Sequence, residues 1–155
     1  MSSAWHQQPI QSVSNAMAQT ARDQFARLPG PPGSLGMLEE IASRLAGMQN
    51  RLNPKPDPCQ LTLFAADHGI HAAGVAGQTP ELSPALVRNA INGGSPGAVL
   101  ARNLGARIEV VDVGLLHDPG ELPGLIRCRI GNGSTDFRTT PAMSDHQLHA
   151  AMNAG

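Results

Sequence analysis

The sequence predicts an α/β protein: a helical amino-terminal segment followed by part of a parallel sheet with flanking helices. Three observations carry this. Leu61-Thr-Leu-Phe-Ala-Ala66 is a nearly continuous apolar run of strand length, the pattern of a strand buried on both faces of a parallel sheet. Ser83-Pro84 and Ser95-Pro96 then give two helix starts in succession, because Ser caps and Pro in the first turn gives up an N–H that has no helical partner. Arg107 to Val113 (Arg-Ile-Glu-Val-Val-Asp-Val) reads as the next strand. Strand, helices and strand at this spacing make a βαβ unit with a right-handed crossover.

The remaining elements follow in chain order. Residues 13–27 are predicted helical, with Val13, Met17, Thr20, Ala21 and Phe25 near one face. Pro29-Gly30-Pro31-Pro32-Gly33 cannot continue that helix. Ser34 is the expected cap of a second helix, in which Leu35, Leu38, Ile41, Ala42, Leu45 and Met48 recur at core spacing. Glu39, Glu40, Ser43 and Arg44 take the outer side. Asn53-Pro54-Lys55-Pro56-Asp57-Pro58 reads as a linker, which sets a helical segment at 1–58 and an α/β segment at 59–155. Gly93-Gly94 divides the two helices of the crossover, and Gly105 ends the second. Leu125 to Ile130 is a third strand, and Ser144 with Gln147 forms a capping box before a last helix. So few strands leave an open sheet edge, the mark of an interrupted domain.

Composition narrows the function. Apolar residues make up 41% of the chain and aromatics 3%, so the core is aliphatic. A net charge of −1 without a basic stripe gives nucleic-acid binding no electrostatic footing. Cys59 and Cys128 form neither a metal pattern nor a disulfide framework, which fits a reducing cytoplasm. No apolar run approaches the roughly 20 residues of a membrane span, and residues 1–19 lack the apolar stretch of a secretory signal.

Ligands of open α/β sheets bind beyond the carboxyl ends of the strands. Asp67-His68-Gly69 ends the first strand and is the leading candidate there; the alternative is a simple turn with a solvent-facing imidazole. Gly93, Gly94 and Ser95 open a helix whose free N–H groups suit a phosphate, or else form a kink between helices. Asp112 at the end of the second strand either reaches the same crevice or closes a turn. The pairs His68/His71 and His146/His149 lack the three or four converging ligands of a metal site, so none is assigned.

The motifs in order resemble a known family. Pro31-Pro-Gly-Ser-Leu-Gly-Met-Leu-Glu-Glu40, Leu45-Ala-Gly-Met-Gln49, Phe64-Ala-Ala-Asp-His-Gly-Ile70 with Gly74-Val75, and Glu81-Leu-Ser-Pro-Ala-Leu-Val87 with Asn89 and Gly93-Gly94 lead the series. Val110-Val-Asp-Val-Gly114, Thr135-Asp-Phe137 and Pro141-Ala-Met-Ser144 complete it. Together they are similar to the amino-terminal portion of the nicotinate-nucleotide–dimethylbenzimidazole phosphoribosyltransferases. The resemblance runs from about residue 27 to the end.

It implies a Rossmann-like α/β domain, with a small domain to which residues 1–58 belong. It also implies a homodimeric cytoplasmic enzyme without a cofactor. The implied activity moves phosphoribose from nicotinate mononucleotide to 5,6-dimethylbenzimidazole, giving α-ribazole 5′-phosphate for cobalamin. By position, Gln78 to Leu86, including Ser83, matches the family's benzimidazole-pocket segment, and Asp67 and His68 border the crevice. Ala76-Gly-Gln-Thr-Pro-Glu-Leu-Ser83 departs from the family's usual Ser-Ala-Tyr-Pro-Gln-Glu-Val-Thr, which opens the slot to other aromatic bases. The family's catalytic glutamate is expected beyond Gly155, so no catalytic residue is assigned, and this polypeptide alone is expected to be inactive. A non-catalytic remnant and an unrelated small-ligand-binding α/β module are the other readings open at this point.

Overall fold

The computed structural model describes residues 7–31, 33–56 and 58–155. Pro32 of the predicted helix break, Asp57 of the predicted linker and the first six residues of the polar amino terminus lie outside the described residues. The chain divides into two compact units, Gln7–Asp57 and Pro58–Gly155.

The first unit is a helix pair, α1 (Asn15–Phe25) and α2 (Met37–Gln49). Ser14 caps α1, its Oγ accepting from the Met17 N–H at 3.2 Å. The cap of α2 is Gly36, with φ +54, and not Ser34. Gly33 and Gly36 both adopt positive φ, and the Gly36 N–H bonds the Gly33 carbonyl at 2.9 Å, so a turn consumes the residues expected to start the helix.

The packed face of α2 also differs from the expected one. Ser43, Ala46 and Gly47 are buried, while Leu38 and Met48 are 65% and 57% exposed. The reason is close approach. A Cβ on Gly47 would lie 3.0 Å from the Ser14 carbonyl oxygen and 3.1 Å from Ala18 Cβ, so only a small-residue stripe fits against Ala18 and Ala21 of α1. After α2, Asn50 takes a left-handed conformation, and the Gln49 amide exchanges two hydrogen bonds with the Lys55 backbone, at 2.8 and 2.9 Å.

The second unit holds three parallel strands in the order β1-β2-β3: β1 (Gln60–Ala66), β2 (Arg107–Gly114) and β3 (Leu125–Arg127). The helices α3 (Ser83–Ile91) and α4 (Pro96–Asn103) make the crossover from β1 to β2. Leu63, Val110 and Leu125 pair across the sheet and pack with Val87 and Ala90 of α3 and with Leu115 to form the core. The next row, Phe64, Val111 and Ile126, therefore faces away from α3, because successive side chains alternate.

β3 is shorter than the predicted 125–130. The chain still bonds β2 beyond it, through Cys128 N–H to Asp112 O at 2.9 Å and Ile130 N–H to Val113 O at 3.1 Å. A register shift at Ala65/Ala66 pairs Ala66 with Gly114 and redirects the carboxyl end of β1. The last helix, α5 (Asp145–Asn153), carries the predicted capping box of Ser144 and Gln147. No helix of the described residues is long and apolar enough to cross a membrane.

Candidate functional site

The site begins where β1 ends. Asp67 is 9% exposed and holds three chain segments at once. Its Oδ1 accepts from Ser83 Oγ at 2.5 Å, at the start of α3, and its Oδ2 accepts from the Leu116 N–H at 2.7 Å, in the loop after β2. Its backbone carbonyl accepts from the Ser134 N–H at 3.0 Å. Bonds to a carboxylate are roughly twice as strong as neutral ones, so Asp67 acts as the knot of the strand ends.

Residues 133–136 lie directly on this knot. The Gly69 N–H bonds the Ser134 carbonyl at 2.9 Å, and His68 pairs with Ser134 as an isolated parallel bridge. The fit excludes side chains at two positions. A Cβ on Gly69 would lie 2.6 Å from the Asp136 nitrogen, and one on Gly133, with φ +79, would lie 2.9 Å from the Asp67 carbonyl oxygen.

Past the turn, a short 3-10 turn at Gly69–Ala73 and another at Pro80–Leu82 arch over the start of α3. They enclose an open cavity of about 280 Å3. Asp67, His68, Gln78, Ser83 and Leu86 all line it. Ile70, Val75, Ala76 and Pro80 give it a mainly apolar wall, and His71 and Thr79 add polar edges. An apolar slot with a few convergent polar groups, close to the lower size limit of about 300 Å3 for small-molecule pockets, suits one flat ring. Just outside it, Glu81 Oε1 stands 3.7 Å from His117 Nε2. A hydrogen bond from the Thr79 side chain, then one from its own backbone, with His117 adding less, holds the Glu81 carboxyl below the usual range.

The twin-glycine break is elsewhere. α3 starts beside Asp67 and runs back along the sheet, rising about 1.5 Å per residue. Gly93, Gly94 and Ser95 follow its far end, and a Cβ on Gly97 would already be 3.2 Å from Leu61 Cδ2, near the beginning of β1. These three residues therefore sit toward the amino edge of the strands and line no part of the cavity. Of the candidate residues, Asp67 and His68 enter the cavity, and Gly93, Gly94 and Ser95 stay outside it.

Asp112 is fully buried, and its Oδ1 accepts from the Gly114 and Leu115 N–H groups at 3.0 and 2.9 Å. It closes a strand-end turn and does not line the cavity. Ser134 and Leu116 went unrecognised in the sequence, because only long-range pairing brings them to the end of β1. Among the described residues no three His, Cys, Asp or Glu side chains gather closely enough to hold a metal ion.

The phosphoribosyltransferase family model DBI_PRT matches residues 10–155. The chain belongs to this phosphoribosyltransferase family. Within it, the nicotinate-nucleotide–dimethylbenzimidazole phosphoribosyltransferases of Pseudomonas putida KT2440 and Pseudomonas syringae pv. syringae B728a are 39% and 41% identical to it over 155 residues. The match takes in all of this chain and 44% of each relative, so the chain spans less than half their length. The crystal structure of the enzyme so named from Thermus thermophilus superposes with a TM-score of 0.84 at 31% identity, covering 91% of this chain and 43% of that one. The parallel sheet that carries the cavity is thus part of the family fold.

Proposed function

We propose that this chain is part of a phosphoribosyltransferase that moves phosphoribose from nicotinate mononucleotide to a benzimidazole-type base, and that its own share of the work is to hold the acceptor ring. The products are nicotinate and an α-ribazole 5′-phosphate, as in cobalamin nucleotide-loop assembly, and the place of work is the cytoplasm. The observation that carries this reading is the apolar cavity at the carboxyl end of β1, lined by Asp67, His68, Gln78, Ser83 and Leu86, in a member of a family whose relatives bear that activity in their names. A flat bicyclic base gains from burial in such a slot at about 25 cal/mol per Å2 of apolar surface. Substitution at the anomeric carbon further needs donors for the phosphate and an acceptor for the ring proton. The relatives' remaining length is where we assign both, and we assign a homodimer to the full-length enzyme.

The test is direct. The 155-residue chain is titrated with 5,6-dimethylbenzimidazole by calorimetry, then mixed with that base and nicotinate mononucleotide. Binding of the base without formation of α-ribazole 5′-phosphate is expected. No measurable affinity for any benzimidazole defeats the reading of the cavity, and turnover by this polypeptide alone defeats the division of labour.

A further inference from the structure

Asparagine followed by glycine occurs twice in the chain, at Asn92-Gly93 and at Asn132-Gly133. The pair is chemically special because a glycine nitrogen has no Cβ beside it to keep it from the asparagine side-chain carbonyl carbon. The structure treats the two pairs in opposite ways.

Asn92 ends α3. Its N–H donates to the Arg88 carbonyl at 3.0 Å, and the Gly93 N–H donates to the Ala90 carbonyl at 3.1 Å. The nitrogen that could attack the Asn92 side chain is therefore held in the helix end. Asn132 is exposed, and neither its N–H nor that of Gly133 has a hydrogen-bond partner among the described residues. The chain is anchored on either side of it. The Ile130 N–H donates to the Val113 carbonyl at 3.1 Å, and the Ser134 N–H donates to the Asp67 carbonyl at 3.0 Å. Between these anchors, Gly131, Gly133 and Ser134 wall a cavity of about 150 Å3 behind the aspartate turn, and Asn132 does not.

We propose that Asn132 is a modification site at which the chain converts itself through a succinimide to isoaspartate, and that the conversion undoes the clamp on Asp67. The Gly133 nitrogen attacks Asn132 Cγ and forms the new N–C bond. The Cγ–Nδ2 bond breaks, and the Gly133 proton leaves with the amide nitrogen as ammonia. Water then opens the ring. Attack at the Asn132 backbone carbonyl carbon leaves the chain running through Cγ as isoaspartate, and attack at Cγ leaves aspartate. Isoaspartate lengthens the main chain by one carbon and adds a carboxylate, two residues before Ser134. The clamp has no slack to absorb that atom. A Cβ on Gly133 would lie 2.9 Å from the Asp67 carbonyl oxygen, and one on Gly69 would lie 2.9 Å from the Ser134 carbonyl oxygen.

The experiment holds the 155-residue chain in mildly alkaline buffer and samples it over time. Trypsin places the two sites in separate peptides, 89–102 and 130–138, and mass spectrometry reads the amide-to-acid change in each. Asn132 is expected to convert about ten-fold faster than Asn92, because Gly93 must first release its hydrogen bond. In concentrated urea, where neither site is held, the two rates should converge. The isoaspartate form, separated by ion exchange, should exchange its Gly69 and Ser134 amide hydrogens faster than the parent. Asn132→Gln, aged in the same way, should show neither the product nor the faster exchange. Equal rates in the folded chain, or a difference that persists undiminished in urea, overturn the selection of Asn132 by the fold. Isoaspartate at residue 132 with unchanged exchange at Gly69 and Ser134 overturns its effect on the clamp.

Discussion

Ser83-Pro84 and Ser95-Pro96 are the same dipeptide at the start of successive helices, and they fold differently. Ser95 sits outside α4 in an extended conformation and caps it, its Oγ accepting from the Ala98 N–H at 3.2 Å. Ser83 lies within α3 in helical conformation, preceded by the 3-10 turn at Pro80–Leu82, and makes no such cap. Its hydroxyl points out of the helix to Asp67. The difference lies in the surroundings, since the Asp67 carboxylate stands within hydrogen-bond reach of Ser83, and among the described residues no carboxylate bonds the Ser95 hydroxyl. The charge-assisted bond to Asp67 uses the Ser83 hydroxyl as a donor, whereas the Ser95 cap uses its hydroxyl as an acceptor. One serine serves its helix, and the other ties its helix to the site.

The largest test of this contrast removes the carboxylate. Asp67→Ala leaves the Ser83 hydroxyl and the Leu116 N–H without their acceptor, and the expected loss is about 3 kcal/mol of stability in thermal melts followed by circular dichroism. A loss under about 1 kcal/mol would mean the knot does not hold the strand ends. Next come the serines themselves. Ser83→Ala is expected to cost about 2 kcal/mol, as a bond to a charged group. Ser95→Ala should cost about 1 kcal/mol, as a cap. Only the first should also weaken benzimidazole binding, because only Ser83 lines the cavity. Equal losses, or a shared effect on binding, would erase the distinction drawn between them.

The smallest effect concerns an exposed carboxylate that serves as the counterpart of Asp67. Asp118 accepts from the Gly120 N–H at 2.9 Å and from Arg127 at 3.1 Å. The Gly120 bond first, and Arg127 after it, hold its pKa below the ordinary aspartate value. A lowered carboxyl stabilises the fold above the unfolded pKa, near about 3.9, and that contribution is lost as pH falls through the folded value. Stability should therefore decline slightly below about pH 4, and Asp118→Asn should remove that part of the slope. NMR titration of the Asp118 carboxyl checks the direction. A midpoint at or above the ordinary value contradicts it.

Legibility in the sequence followed the range of the interactions. The strands at 60–66 and 107–114, the cap at Ser95, the stop at Gly105 and the capping box at Ser144 rest on neighbours within a few residues, and each stood in the sequence much as it stands in the structure. The cavity residues 67, 68, 78, 83 and 86 were named from local motif and resemblance, and they do meet around one space. What could not be read was what depends on distant partners. The leucines and Met48 of α2 show core spacing, yet the small stripe Ser43, Ala46 and Gly47 packs, because α1 presents alanines that admit a close backbone. The glycine break, a candidate phosphate site in the sequence, lies outside the cavity because the course of α3 carries it toward the other edge of the sheet.

The sequence by itself determined the class of fold, the order of elements and the turn at Asp67-His68-Gly69, since hydrophobic period, caps and glycines act over a single turn of chain. Only the tertiary structure decided that Ser134 and Leu116, 67 and 49 residues away from Asp67, close that turn. Hydrogen bonds between segments so far apart carry no local signature. Their partners are chosen by which backbones the sheet brings into register.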